Sequence, residues 1–236
     1  MNHTIMIVEN ELDIQQFLTA ALKQFGFRPI AYSQGRDALK AFESHPPDLI
    51  LLDVQLPDMS GFDICEQIRK QSHVPIIFVS CLNDGTDIIH GLEIGGDDYV
   101  TKPFDLHQLI ARIRSNLRRA PLVPSFTNPQ FMEQNEMEEM SFGPLKLNYS
   151  PQRVIVQNKQ VTLTTKEFHI LSALAQQPDK VFSAHELYKL IWGEDSLGET
   201  QALKVHISHI RKKLDSIPGH SVTIQSVRGF GYQIQY

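Results

Sequence analysis

Five short apolar runs in the first half of the chain, at 5–8, 27–31, 48–52, 74–79 and 98–101, alternate with amphipathic segments at about 11–24, 35–44, 60–71, 84–94 and 105–118. Runs so short and so continuously apolar suit strands buried on both faces, and intervening stretches of helical period predict successive βα units. That order leaves little freedom: an α/β, doubly wound, five-stranded parallel sheet with helices on both sides. In such a sheet ligands bind beyond the carboxyl ends of the strands. Four of the runs end there on a reactive side chain, namely Glu9, Asp53, Ser80 and Lys102. Polar residues often cap strand ends, and a lysine often does no more than neutralise nearby acids. Four such residues at four strand ends favour a shared pocket.

The chemistry open to that pocket is phosphoryl transfer. A carboxylate can attack phosphorus and form an acyl phosphate. The reaction then needs its developing charge neutralised more than it needs further covalent help, and acids holding Mg²⁺, a lysine and a hydroxyl provide this. Asp53 is the candidate acceptor, with Glu9, Ser80 and Lys102 around it.

Charge is distributed unevenly along the 236 residues. Residues 1–119 carry 11 Lys/Arg against 16 Asp/Glu, residues 120–139 none against 4, and residues 140–236 carry 11 against 7. An acidic half followed by a basic half suggests two tasks, the second facing a polyanion. Between them, Pro121, Pro124 and Pro129 precede Glu133, Glu136, Glu138 and Glu139 with little apolar periodicity, which reads as a solvated tether. The expected domains are therefore 1–119 and 140–236, with a linker at 120–139. No apolar stretch approaches the roughly 20 residues that span a bilayer, so the expectation is a soluble, cytoplasmic protein without a membrane partner. Cys65 and Cys81 show no disulfide or zinc spacing and read as packing residues in a reducing compartment.

The second half has a different order. Strand-like runs at 142–149 and 153–163, with a turn near Asn158-Lys159, lead to a helix opened by Thr164-Thr-Lys-Glu167, a capping-box spacing. Pro178 ends that helix, and Ser183-Ala-His-Glu186 opens a short second one reaching Trp192. The polar loop Gly193–Glu199 then precedes a third helix, followed by a terminal hairpin with Arg228-Gly229 in its turn. At about 100° per residue, Leu203, Ile207, Ile210 and Leu214 share one stripe of the third helix. Gln201, Val205, Ser208, His209 and Lys212 lie opposite, flanked by Lys204 and Arg211. A valine among polar and basic residues suits a helix in a DNA major groove. An ordinary amphipathic helix with a charged face explains the pattern equally well.

Three segments of residues 1–119 resemble the receiver domain of two-component response regulators: Val8-Glu-Asn-Glu11, Leu52-Asp-Val-Gln-Leu-Pro-Asp-Met-Ser-Gly61 and Gly95-Gly-Asp-Asp-Tyr-Val-Thr-Lys-Pro-Phe104. Residues 141–236 resemble the winged helix-turn-helix domain of the OmpR/PhoB subfamily through Leu163-Thr-Thr-Lys-Glu-Phe168, Val205-His-Ile207, Arg211-Lys-Lys-Leu214 and Val227-Arg-Gly-Phe-Gly-Tyr232. The resemblance implies a flavodoxin-like receiver and a phosphorylation-controlled transcription regulator that is not an enzyme. It implies Asp53 as phosphoacceptor, a sensor histidine kinase as donor, and Mg²⁺ held by Glu9, Asn10, Asp53 and the Gln55 carbonyl. Lys102 contacts the phosphoryl group, Ser80 and Tyr99 form the switch pair, and Lys102-Pro103 is expected to be cis. It further implies DNA contacts from Gln201, Lys204, Val205, His206, Ser208, His209, Arg211, Lys212 and the wing residue Arg228. Of the His206/His209 pair, one packed and one DNA-facing histidine is preferred to a metal site. RNA polymerase is an implied partner, as is a second copy on activation, met through Leu92, Asp97, Asp98, Arg112, Ile113 and Arg119.

Three departures matter. Asn10 stands where the family has a second metal-binding carboxylate, which predicts weaker Mg²⁺ binding and slower phosphorylation, or DNA binding independent of phosphorylation. Ser208 and His209 replace arginines common in this subfamily, so the operator is not inherited from relatives. Ile88 and Gln108 stand where a basic–acidic pair is usual at the dimer surface. An aspartyl-phosphate phosphohydrolase is a remote alternative, because Gln55 occupies the place of the second acid that such enzymes use.

Overall fold

The computed structural model describes residues 3–118, 139–149, 152–193 and 200–236. The chain divides into two compact units, Met1–Leu117 and Arg118–Tyr236. Arg119, the expected tether up to Glu138 and residues 194–199 of the polar loop lie outside the described residues.

In the first unit, strands β1 (Thr4–Val8), β2 (Arg28–Tyr32), β3 (Leu49–Leu52), β4 (Ile76–Ser80) and β5 (Asp98–Thr101) alternate with helices α1 (Leu12–Gln24), α2 (Gly35–Ser44), α3 (Gly61–Arg69), α4 (Gly85–Glu93) and α5 (Leu106–Leu117). All strands are parallel, in the order β2-β1-β3-β4-β5. Side-chain alternation along each strand explains the continuous apolar runs. Met6, Val8, Ile50, Leu52, Ile76 and Phe78 point to one face, where Ala38, Phe42, Ile64 and Ile68 of α2 and α3 cover them. Ile5, Ile7, Leu49, Leu51, Ile77 and Val79 point to the other, against Leu18 and Leu22 of α1 and Leu109, Ile110 and Ile113 of α5. Each fully buried Leu or Ile contributes about 1.5–3 kcal/mol. The strand order reverses between β1 and β3, and the loops after those strands open the crevice that holds Glu9 and Asp53.

Two features of the crevice follow from local backbone. The Lys102–Pro103 bond is cis, as expected. Gly61 begins α3 directly against the acceptor loop, where a Cβ would stand 2.1 Å from the Asp53 carbonyl oxygen. Only glycine permits that approach, so the helix start fixes the backbone of the acceptor.

The second unit opens with a four-stranded antiparallel sheet, β6 (Glu139–Phe142), β7 (Leu145–Tyr149), β8 (Gln152–Val156) and β9 (Lys159–Val161), in sequential order. The first predicted run, 142–149, holds β7, whereas β6 lies almost wholly before it. The Gly143-Pro144 turn joins β6 to β7, and Gln157 and Asn158, both at positive φ (50° and 64°), divide the second run beside the turn expected near Asn158-Lys159. Paired positive φ values are the mark of a two-residue hairpin turn whose twist matches the flanking strands.

Helices α6 (Thr165–Gln176), α7 (Ala184–Trp192) and α8 (Gln201–Asp215) precede the hairpin of β10 (Thr223–Val227) and β11 (Gly231–Gln235). Thr164 and Glu167 form the predicted capping box, and Ser183 caps α7. The stripe Leu203, Ile207, Ile210 and Leu214 is buried against Phe168, Leu171, Leu187 and Ile191, so α8 packs on α6 and α7 as its periodicity requires. The hairpin is tied back through Phe182 and Tyr232, which exchange two backbone hydrogen bonds of 2.9 and 2.8 Å.

Candidate functional site

Three loops bring the predicted acids and lysine together. Lys102 follows β5, and its Nζ lies 2.7 Å from Asp53 Oδ2, 2.6 Å from Glu9 Oε2 and 3.4 Å from Glu11 Oε1. Glu9 and Asp53 are buried, whereas Glu11 is exposed. The backbone orients both buried carboxylates: Gln55 N–H donates to Asp53 Oδ1 at 3.1 Å, and Glu11 N–H donates to Glu9 Oε1 at 3.0 Å. Burial opposes the charge on Lys102, but its bonds to Asp53 and Glu9 outweigh that, and its pKa is raised. Burial and the neighbouring Asp53 charge raise the pKa of Glu9, and the Lys102 bond offsets this only in part. Two buried carboxylates thus share one ammonium, leaving Asp53 an anchored oxygen nucleophile with cationic support beside it.

Ser80 is fully buried at the end of β4, with its Oγ accepting from Leu82 N–H at 3.4 Å. Tyr99 is turned inward against Phe78, with ring centroids 5.7 Å apart, and its hydroxyl donates to the Leu82 carbonyl at 2.9 Å. Burial pushes the Tyr99 phenol up to about 12, so it stays a neutral donor. Leu82 therefore links the hydroxyl of Ser80 to that of Tyr99. Asn10 is exposed, and the third carboxylate over the pocket belongs to Glu11: oxygens of Glu9, Glu11 and Asp53 all lie within 4.8 Å of one another. Glu11 entered the sequence reading only as part of a motif, although its placement one residue beyond Asn10 was the available signal.

On α8, Gln201, Lys204, Ser208 and Lys212 are exposed and Val205 is half-buried, consistent with the predicted outer face. Three other residues expected to contact DNA are placed differently. His206 is buried, with its ring 5.7 Å from that of Trp192. It stands three residues after Leu203 and four before Ile210, on the edge of the apolar stripe, and so packs inward. His209 turns toward the core, its Nδ1 3.5 Å from Glu167 Oε1 and its side chain 15% exposed. Arg211 spans to the wing, with Nε donating to the Ile224 carbonyl at 2.8 Å and an Nη to Ser226 Oγ at 2.9 Å. Arg228 is exposed in the wing turn beside Phe230.

The buried carboxylate of Glu167 unites these elements. It accepts from Thr164 N–H at 2.9 Å and Lys213 Nζ at 2.6 Å, in addition to the His209 contact. Burial alone would raise its pKa, but His209, Lys213 and His206 bring it down to about 2. One anion therefore fastens the N-terminus of α6 to the inner side of α8.

The predicted contact surface for a second copy is corrected at several positions. Leu92 and Ile113 are fully buried, because each lies on the inward stripe of its helix, four residues after Ile88 and after Leu109 respectively. Asp97 is buried, accepting from Arg69 at 2.9 Å and from Ile76 N–H at 3.0 Å. Asp98 is buried and receives Arg112 on both carboxylate oxygens, at 2.7 and 2.9 Å. These charges are paired within the chain.

Both units match known protein families. Residues 5–114 match the response regulator receiver domain, and residues 158–234 match the C-terminal domain of transcriptional regulatory proteins. The chain belongs to the OmpR/PhoB-type response regulators. This response regulator is 36% identical to the sensory transduction protein RegX3 of Mycobacterium tuberculosis over 98% of its own length and 99% of the relative's. It is 35% identical to the DNA-binding response regulator MtrA of Mycolicibacterium smegmatis, over 99% of its own length and 97% of MtrA's. Among solved structures it is similar to a RitR mutant (TM-score 0.73, 26% identity, 99% of each chain). It is also similar to DrrB, an OmpR/PhoB homolog from Thermotoga maritima (TM-score 0.51, 29% identity, 100% of each chain). No helix among its described residues is long and apolar enough to cross a membrane.

Proposed function

We propose that this response regulator is phosphorylated on Asp53 by a sensor histidine kinase and that the acyl phosphate controls DNA binding by residues 140–236 across the tether at 120–139. The observation that carries the reading is the convergence of Glu9, Asp53 and Lys102 within 2.7 Å contacts at the ends of three strands. An oxygen of Asp53 attacks the phosphorus of a phosphohistidine, the P–N bond breaks, and its electron pair returns to the kinase imidazole. Lys102 neutralises charge on the transferred group, and Ser80 donates a hydroxyl hydrogen bond to it. The donor set is all oxygen and carries three carboxylates, which suits a hard divalent cation. Glu9, Asp53 and the Gln55 carbonyl would hold Mg²⁺, which would supply positive charge to neutralise the phosphoryl oxygens.

In the effector, Gln201, Lys204, Val205, Ser208 and Lys212 face the major groove and Arg228 reaches the adjacent minor groove or backbone. Arg211 positions the wing on α8 and does not reach DNA itself. Phosphorylation favours a second copy, and two weak half-site contacts joined in this way become one strong one; the bound dimer then presents itself to RNA polymerase. The protein acts in the cytoplasm and turns over no external substrate.

Incubation with Mg²⁺ and a small-molecule phosphodonor is expected to add one phosphate to the wild-type intact mass and none to Asp53→Asn. Equal labelling of both would refute the assignment. Asn10 motivates a second reading, DNA binding without phosphorylation, which predicts unlabelled wild-type protein that binds DNA as tightly as Asp53→Asn.

A further inference from the structure

The pocket lacks a carboxylate at position 10, and the structure shows where a compensating charge stands. Asn10 is exposed, and the next residue, Glu11, is the N-cap of α1. A glutamate at that position has unsatisfied helix N–H groups within reach, yet its side chain makes no capping hydrogen bond. Its carboxylate instead lies over the pocket, 3.4 Å from Lys102 Nζ and with an oxygen within 4.8 Å of oxygens on both Glu9 and Asp53. The Glu11 N–H held by Glu9 Oε1 at 3.0 Å fixes the spacing of the two acids.

We propose that Glu11 carries the second negative charge that holds the divalent cation, taking over from position 10. The proposal rests on the reading of the pocket as a Mg²⁺ site and goes beyond it by assigning a residue that the family pattern does not use. The site gains this charge from a side chain that is 55% exposed. Its contribution is therefore screened by solvent and sensitive to salt, unlike that of the buried Glu9 and Asp53.

The test is a direct measurement of Mg²⁺ affinity by titration calorimetry on the full chain, without phosphodonor, for wild type, Glu11→Gln, Asn10→Asp and the double variant. Glu11→Gln is isosteric and partly solvent-exposed, so the fold is retained, and Asp53→Asn marks the loss of the site itself. Glu11→Gln is expected to weaken binding about tenfold in the wild-type background and less than twofold once Asn10→Asp has restored the usual acid. An equal effect in both backgrounds, or none in the wild type, overturns the compensation. Binding seen only after Asn10→Asp overturns it as well while leaving the Mg²⁺ reading intact. An absence of binding in every variant overturns both.

Discussion

Replacing Lys102 with methionine is expected to slow accumulation of the Asp53 phosphate adduct by about a hundredfold, the usual effect of removing one charge-stabilising group from a reaction centre. The same substitution leaves Glu9 and Asp53 buried side by side without their shared ammonium. Removing one partner of a buried ion pair destabilises by about 3 kcal/mol or more, and the receiver transition in calorimetry should fall accordingly in Mg²⁺-free buffer. Millimolar Mg²⁺ should restore most of this loss, because the cation neutralises the same carboxylates and binds only the folded form. A receiver transition that neither falls on substitution nor recovers with Mg²⁺ would show that the lysine is not the charge partner described here.

The second large effect concerns the effector. Trp192 is the only tryptophan and is buried in the effector core, so its fluorescence follows the unfolding of that unit alone. Glu167→Gln should lower the fluorescence-detected midpoint by roughly 10 °C, because His209 and Lys213 lose the anion that joins α8 to α6. The carboxyl of Glu167 is depressed from 4.5 to about 2 in the folded protein. A depressed acid contributes stability that is complete above its unfolded pKa and disappears as pH falls through the folded one. About 3 kcal/mol should therefore be lost between pH 4.5 and 2 in the wild type, and this part of the acid profile should be missing in Glu167→Gln. Superimposable acid profiles would contradict the network.

The fold was legible wherever one simple periodicity governed a segment. Strands β1 to β5 each read as a continuous apolar run because helices cover both faces of the sheet, and the stripe of α8 was readable because one face alone is buried. Three kinds of feature escaped. Strand β6 was missed, because Glu139 and Ser141 give it the polar character of the segment before it. Residues at the margin of a stripe were misassigned: His206, Leu92 and Ile113 sit at helical spacing from core residues, and only packing decides which side they take. Charges were the least predictable of all. Arg211, Asp97, Asp98 and Arg112 look like surface recognition groups in sequence, yet each finds its partner within the chain, outside its own helix or strand. The pocket was legible in Glu9, Asp53, Ser80 and Lys102 because strand ends fix their position. Glu11 required the side-chain direction of a helix cap, which no periodicity encodes.

The central claim is that chemistry at Asp53 changes occupancy of DNA by residues far away in sequence. The measurement that tests it most directly is the affinity of untreated and phosphodonor-treated protein for a DNA fragment selected from a random pool, at fixed salt, with Asp53→Asn alongside. The account predicts at least tenfold tighter binding by the treated wild type, with no change in Asp53→Asn. Equal affinity of treated and untreated wild-type protein, with the phosphate adduct verified by mass, would contradict it.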